Sequence, residues 1–140
     1  MTAYNKYNGI PCAVNPFIRD ITMKEWGVNG IITTDGGAFN LLVTAHHYYP
    51  DLVTAAKACF DAGITMFLDK KYKEPVTKTV NDGLVPQSEL DAALRGPVRV
   101  LLKLGLLDDS PENPYSKIGV NDTVEPWTRE ENKSLVRQIT

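Results

Sequence analysis

Hydrophobic positions change period repeatedly along this chain, dividing it into short apolar runs and amphipathic stretches. Ile31-Ile32-Thr33-Thr34 is β-branched throughout, which suits a strand buried on both faces. A strand is predicted over Gly30–Thr34, ending on Asp35 and then Gly36-Gly37, glycines that open backbone conformations closed to other residues. Ile64-Thr65-Met66-Phe67-Leu68-Asp69 repeats the plan, an apolar run closed by an acid. Between the two, Leu52, Ala55, Ala56, Cys59 and Phe60 recur at helical spacing, with Pro50-Asp51 to start the helix and Gly63 to stop it.

Other stretches follow the same logic. Residues 1–14 read as a strand end running into a loop, with Asn8-Gly9 as a turn and Pro11 opposing regular pairing. A helix is predicted from Asn15, its cap, to Trp26, with Phe17, Ile18, Ile21 and Trp26 near one face and Gly27 ending it. Pro75–Asn81 reads as a short helix with Val76 and Val80 inward. Pro86–Leu104 reads as a longer one that buries Leu90, Leu94, Val98, Leu101 and Leu102 and is kinked or broken at Pro97. The polar, proline-punctuated run after Leu107 reads as a linker, and a capping box of Thr128 and Glu131 opens a last helix over Glu130–Ile139. Strand, acid, loop, helix, glycine in alternation predicts the α/β class, βα units around a parallel sheet.

Composition narrows the function. The chain has 140 residues, 43% hydrophobic and 23% charged, with a net charge of −2; mixed signs of charge predict neither a nucleic-acid surface nor a polybasic membrane patch. No apolar run approaches the length of a membrane span, and the amino terminus lacks a signal-peptide layout. Location is left open. Cys12 and Cys59 lack metal-type spacing and read as two buried free thiols. No cofactor and no metal are expected.

In barrel and doubly wound α/β folds, ligands sit at the carboxyl ends of strands. Asp35 stands at such an end, although Asp there also serves as a turn or helix cap. Asp69 carries the same two readings, a ligand contact or a cap. His46 and His47 suit no common metal spacing, and the loop they share is read as lining a cleft. Trp26 and Phe60 read as core.

Several segments, taken in order, resemble the two-domain family 3 glycoside hydrolases, the β-glucosidases and β-xylosidases. Tyr4-Asn5 with Asn8-Gly9 and Pro11 resembles "SYN-x-x-NG-x-P". Glu25-Trp26-Gly27 through Asp35 resembles "EWGF-x-G-x-V-x-SD", and Ala62-Gly63 with Met66 resembles "AG-x-DM". Leu90–Asp108 resembles the last barrel helix. The match implies residues 1–108 as the C-terminal βα units of a (β/α)8 barrel, incomplete in this chain. It further implies 109–127 as a linker and 128–140 as the truncated start of an α/β sandwich domain, so the chain is read as a fragment.

The resemblance implies a retaining, exo-acting hydrolase that releases terminal β-D-glucose, from a β-linked oligosaccharide or an aryl or alkyl glycoside. Asp35 matches the nucleophile, and Tyr4 matches the tyrosine that orients and stabilises it. Gly36 stands where many members carry a Trp that walls a sugar subsite, which keeps β-xylosidase specificity open. The general acid/base of such enzymes is a Glu in the sandwich domain; neither Glu74 nor Glu89 is promoted to that role. The missing barrel strands and sandwich domain are thus partners of this segment, and alone it is expected to be inactive. The rival reading is a small α/β binding module without catalysis.

Overall fold

The computed structural model describes residues 1–107, 112–120 and 123–139 and divides the chain into two compact units, 1–103 and 104–140. The first unit opens with a hairpin, β1 (Lys6–Tyr7) against β2 (Ile10–Pro11), paired Lys6 to Pro11 and Tyr7 to Ile10. Asn8 and Gly9 both take positive φ, 51° and 79°, as a two-residue hairpin turn demands. Pro11 therefore joins the pairing it was expected to oppose, and the Cys12 N–H next to it supplies the bond to the Asn5 carbonyl, 3.1 Å. Ile18–Glu25 is wound as a π-helix, with Trp26 N–H donating to the Ile21 carbonyl, and Gly27 at φ 67° turns the chain away.

Four α-helices follow: α1 (Ala38–Thr44), α2 (Leu52–Ala62), α3 (Lys73–Asn81) and α4 (Gln87–Lys103). The boundaries of α2 have clear causes. The Asp51 carboxylate accepts the Thr54 N–H at 2.8 Å, and Gly63 closes the helix at φ 99°. The two predicted strands shrink to single parallel bridges, Thr2 with Thr34 and Thr33 with Met66. Side chains replace part of the ladder: Thr65 Oγ1 accepts the Ile32 N–H and Thr34 Oγ1 accepts the Leu68 N–H, so the backbone cannot pair regularly there. The order of the bridged segments is the chain order, each beside the next.

Ile32 and Ile64 from these segments meet Phe39 and Leu42 of α1, Ala55, Ala56, Cys59 and Ala62 of α2, and Ala13, Val14 and Ile18 from the amino-terminal stretch. This is the core, and the alanines let α2 lie close. Both cysteines are buried and free. Phe60 is buried, but Trp26 is 71% exposed, because it lies past the end of the wound segment instead of on its inner face. In α3 the buried places go to Pro75 and Thr79, flanked by Val76 and Val80; Thr79 Oγ1 reaches the Val53 and Pro75 carbonyls.

The long helix departs furthest from expectation. α4 runs unbroken through Pro97, and its buried residue is Gly96. A Cβ at Gly96 would stand 2.2 Å from the Gly30 carbonyl oxygen, so the helix presses its smallest residue on the backbone before Ile31. The leucine stripe points elsewhere: Leu94, Val98 and Leu102 are exposed, and Leu90 and Leu101 are half-buried.

In the second unit Asn113 ties a turn together, donating to the Leu104 and Gly105 carbonyls and accepting the Tyr115 N–H. The helix α5 (Glu130–Ile139) forms where predicted. Its capping box is not used: Thr128 Oγ1 donates to the Glu125 carbonyl, and Arg129 accepts the first helical bond, from Lys133. The predicted boundary at 108/109 lies outside the described residues.

Candidate active site

Parallel bridges place the carboxyl ends of all three segments on one side. Tyr4 lies just beyond the Thr2 bridge, Asp35 beyond Thr34, and Asp69 beyond Met66. Three residues singled out in the sequence thus converge, and hydrogen bonds stitch them.

Asp35 is half-buried, and one carboxylate oxygen accepts the neighbouring Gly36 N–H at 2.7 Å. The Tyr4 hydroxyl donates to the Gly36 carbonyl at 2.9 Å. The phenol is thus bonded to the backbone of the turn that carries Asp35, with the Asp35 carboxylate near enough to act on it as well. Partial loss of solvent, and then the Asp35 charge beside it, raise the Tyr4 phenol above its ordinary value, which keeps it a donor. Tyr4 in turn is held from behind, since His46 Nε2 stands 2.8 Å from the Tyr4 carbonyl. That contact requires the tautomer protonated at Nε2. His46 is thus brought to the site as a support of Tyr4, while His47, at φ 48°, turns the chain after α1.

The two glycines differ. Gly37 is left-handed at φ 84° and precedes α1; Gly36 is not, and a Cβ there would meet only the Leu68 carbonyl at 3.9 Å and the Tyr4 hydroxyl at 4.0 Å. Only Gly37 needs to be glycine for conformational reasons, and Gly36 leaves open space beside Asp35.

Asp69 ties two backbone segments together. One of its oxygens accepts the Asn40 N–H in the first turn of α1, 3.1 Å, and the other accepts the Lys71 N–H, 2.9 Å. The cap among its two sequence readings is formed, and each oxygen keeps further acceptor capacity. The same segment holds the Asp35 turn a second time, with Gly37 N–H donating to the Leu68 carbonyl at 3.0 Å and Leu68 N–H to Thr34 Oγ1 at 3.1 Å. The sequence reading missed Thr34, fully buried directly before Asp35. Its signal was a hydroxyl at the last position of an apolar run. A hollow of about 540 Å³ opens beside this turn, lined by Gly36, Gly37, Asn40, Asp69, Lys70 and Lys71 among others. Among the described residues no three His, Cys, Asp or Glu side chains gather as a metal site, and no helix is long and apolar enough to cross a membrane.

Comparison with known proteins points in one direction. Residues 1–101 match the model of the glycosyl hydrolase family 3 N terminal domain. A protein named "Probable exo-1,4-beta-xylosidase bxlB" from Aspergillus terreus is 32% identical over 130 residues, which are 90% of this chain and 17% of that protein. The periplasmic beta-glucosidase of Salmonella typhimurium is 31% identical over 125 residues, 88% of this chain and 16% of that one. A solved beta-glucosidase involved in saponin metabolism, from intestinal bacteria, matches 76% of this chain and 14% of its own at TM-score 0.70 and 28% identity. A beta-glucosidase from Listeria innocua matches 97% of this chain and 19% of its own at TM-score 0.73 and 24% identity, a likeness of fold. The chain thus spans about a sixth of the length of the curated relatives it matches.

Proposed function

We propose, from the premise that this chain belongs to glycosyl hydrolase family 3, that it supplies the nucleophile half of a retaining β-glycosidase site. The family's N-terminal domain is of the TIM-barrel type, and residues 1–108 are read as its C-terminal βα units, with a linker and the start of a following domain after them. The observation that carries the reading is the position of Asp35: at the carboxyl end of its strand segment, on a turn that Tyr4 holds through Gly36.

In the proposed reaction an Asp35 oxygen attacks the anomeric carbon as the glycosidic C–O bond breaks. A second carboxyl, about 5–5.5 Å away in retaining enzymes, protonates the leaving oxygen. The glycosyl-enzyme ester then yields to water, which the same second group deprotonates, and Asp35 leaves as a carboxylate. No acid/base is assigned here: Glu89 stands 3.8 Å from Lys57, and Glu74 lies in the first turn of α3. The substrate is an exo-cleaved β-D-glucoside. β-Xyloside is the second reading, favoured by the identity to an exo-1,4-beta-xylosidase and by the open space at Gly36.

Two assays test this. With a 2,4-dinitrophenyl 2-deoxy-2-fluoro-β-glycoside, whose leaving group needs no acid, intact-mass and peptide analysis is expected to find the label on Asp35. A label on any other carboxylate, or none after prolonged incubation, removes the nucleophile assignment. With ordinary aryl β-glucosides and β-xylosides the 140-residue chain is expected to show little turnover. Turnover abolished by Asp35→Asn would overturn the claim that this half-site is incomplete.

A further inference from the structure

A second hollow, about 990 Å³, lies between the start of α2 and α3, and it shares Lys70 and Lys71 with the hollow beside Gly36. Leu52, Val53 and Pro75 give it an apolar wall, and Lys73 and Lys78 add positive charge. Lys78 is already paired with Asp82 at 2.7 Å. Lys70, Lys71 and Lys73 are exposed and have no carboxylate within ion-pair distance among the described residues. The nearby Asp69 carboxylate keeps its charge, although both its oxygens accept backbone N–H bonds, and offsets one of these three lysines. Glu74 is the remaining negative group on the wall. The hollow that shares Lys70 and Lys71 with this corner is lined by Gly36, the residue next to Asp35.

We propose that the Lys70–Lys71–Lys73 corner is a leaving-group subsite for aglycones that join a negative charge to an apolar or aromatic body. The proposal rests on Asp35 as the nucleophile, because the hollow adjoins the turn that carries it. Ammonium groups on a half-open apolar wall attract a carboxylate more than bulk water does, and salt screens the attraction. A neutral aglycone of the same shape gains only the wall.

The test compares 4-carboxyphenyl β-D-glucoside with its methyl ester, titrated into the 140-residue chain and followed by amide shifts. At low salt the carboxylate is expected to bind about fivefold more tightly than the ester. The preference should fall to within about twofold in Lys70→Gln/Lys71→Gln and in the wild-type chain at roughly 0.5 M salt. Equal affinities, binding of neither glycoside, or a preference that survives the double substitution would overturn the proposal. So would 4-hydroxybenzoate binding as tightly as the charged glycoside, which would make this a general anion site unconnected with a sugar. Asp35 labelling separates the two readings: a labelled Asp35 without charge preference removes the subsite alone. The preference without a label removes the nucleophile and leaves a charge-selective glycoside site.

Discussion

Two turns in this chain begin alike and end differently. After Thr34 and after Leu68 an apolar segment closes on an aspartate and runs toward a helix. Asp69 meets two backbone N–H groups, from Asn40 and Lys71, and both its oxygens are engaged. Asp35 has a short local bond from Gly36 N–H, and the phenol beside it binds the turn's backbone. One carboxylate holds up the loop on which the other is displayed. An acid at a strand end is therefore not a functional signal by itself; what matters is how many fixed donors the fold directs at it.

The comparison can be broken by exchanging what each acid does. The largest expected effect is on chemistry at Asp35: Asp35→Asn should slow labelling by the activated fluoroglycoside by on the order of 10³-fold or more, with the unfolding midpoint in urea little changed. Asp69→Ala should do the reverse, costing about 1–2 kcal/mol in urea unfolding through the lost helix cap and turn. Label should still reach Asp35 in that variant, more slowly. If Asp69→Ala leaves stability untouched, the contrast fails.

Smaller substitutions sharpen it. Gly37→Ala should cost about 1 kcal/mol, because an L-residue pays for the left-handed conformation, whereas Gly36→Ala should change stability by less than about 0.5 kcal/mol; the same melts measure both. Tyr4→Phe should lower the same unfolding midpoint slightly, by removing the bond to Gly36. The raised Tyr4 value gives the sign of its pH dependence: its contribution is whole below pH 10 and is lost as pH rises through the folded value. Absorbance titration at 295 nm should lose a component ionising above pH 10 in Tyr4→Phe.

Local chemistry was legible in the sequence, and packing was not. Asp51 and Gly63 bounded α2 because caps are written in the residues that make them. Asn8-Gly9 gave the turn, though a two-residue hairpin absorbed Pro11. Helix α1 was missed: at seven residues, entered through a glycine without a side-chain cap, it has no start signal. The inner face of α4 was misjudged because the stripe of large residues suggested burial, while contact with the Gly30 backbone selects the smallest. At the site, Asp35, Tyr4 and Gly36 could be named in advance, but the His46 support of Tyr4 joins residues 42 apart in sequence. Nothing local announces such a bond.

The thiol of Cys59 has a use of its own. It has no solvent-exposed surface, and burial pushes its ionisation far upward, so in the closed molecule an alkylating reagent finds no thiolate to attack. Its modification rate is then a clock for opening of the core between α1 and α2. Cys12, slightly more accessible behind the hairpin, keeps time for the amino-terminal edge. Two cysteines reporting one rate would mean that residues 1–103 open as a unit; two rates would locate the seam.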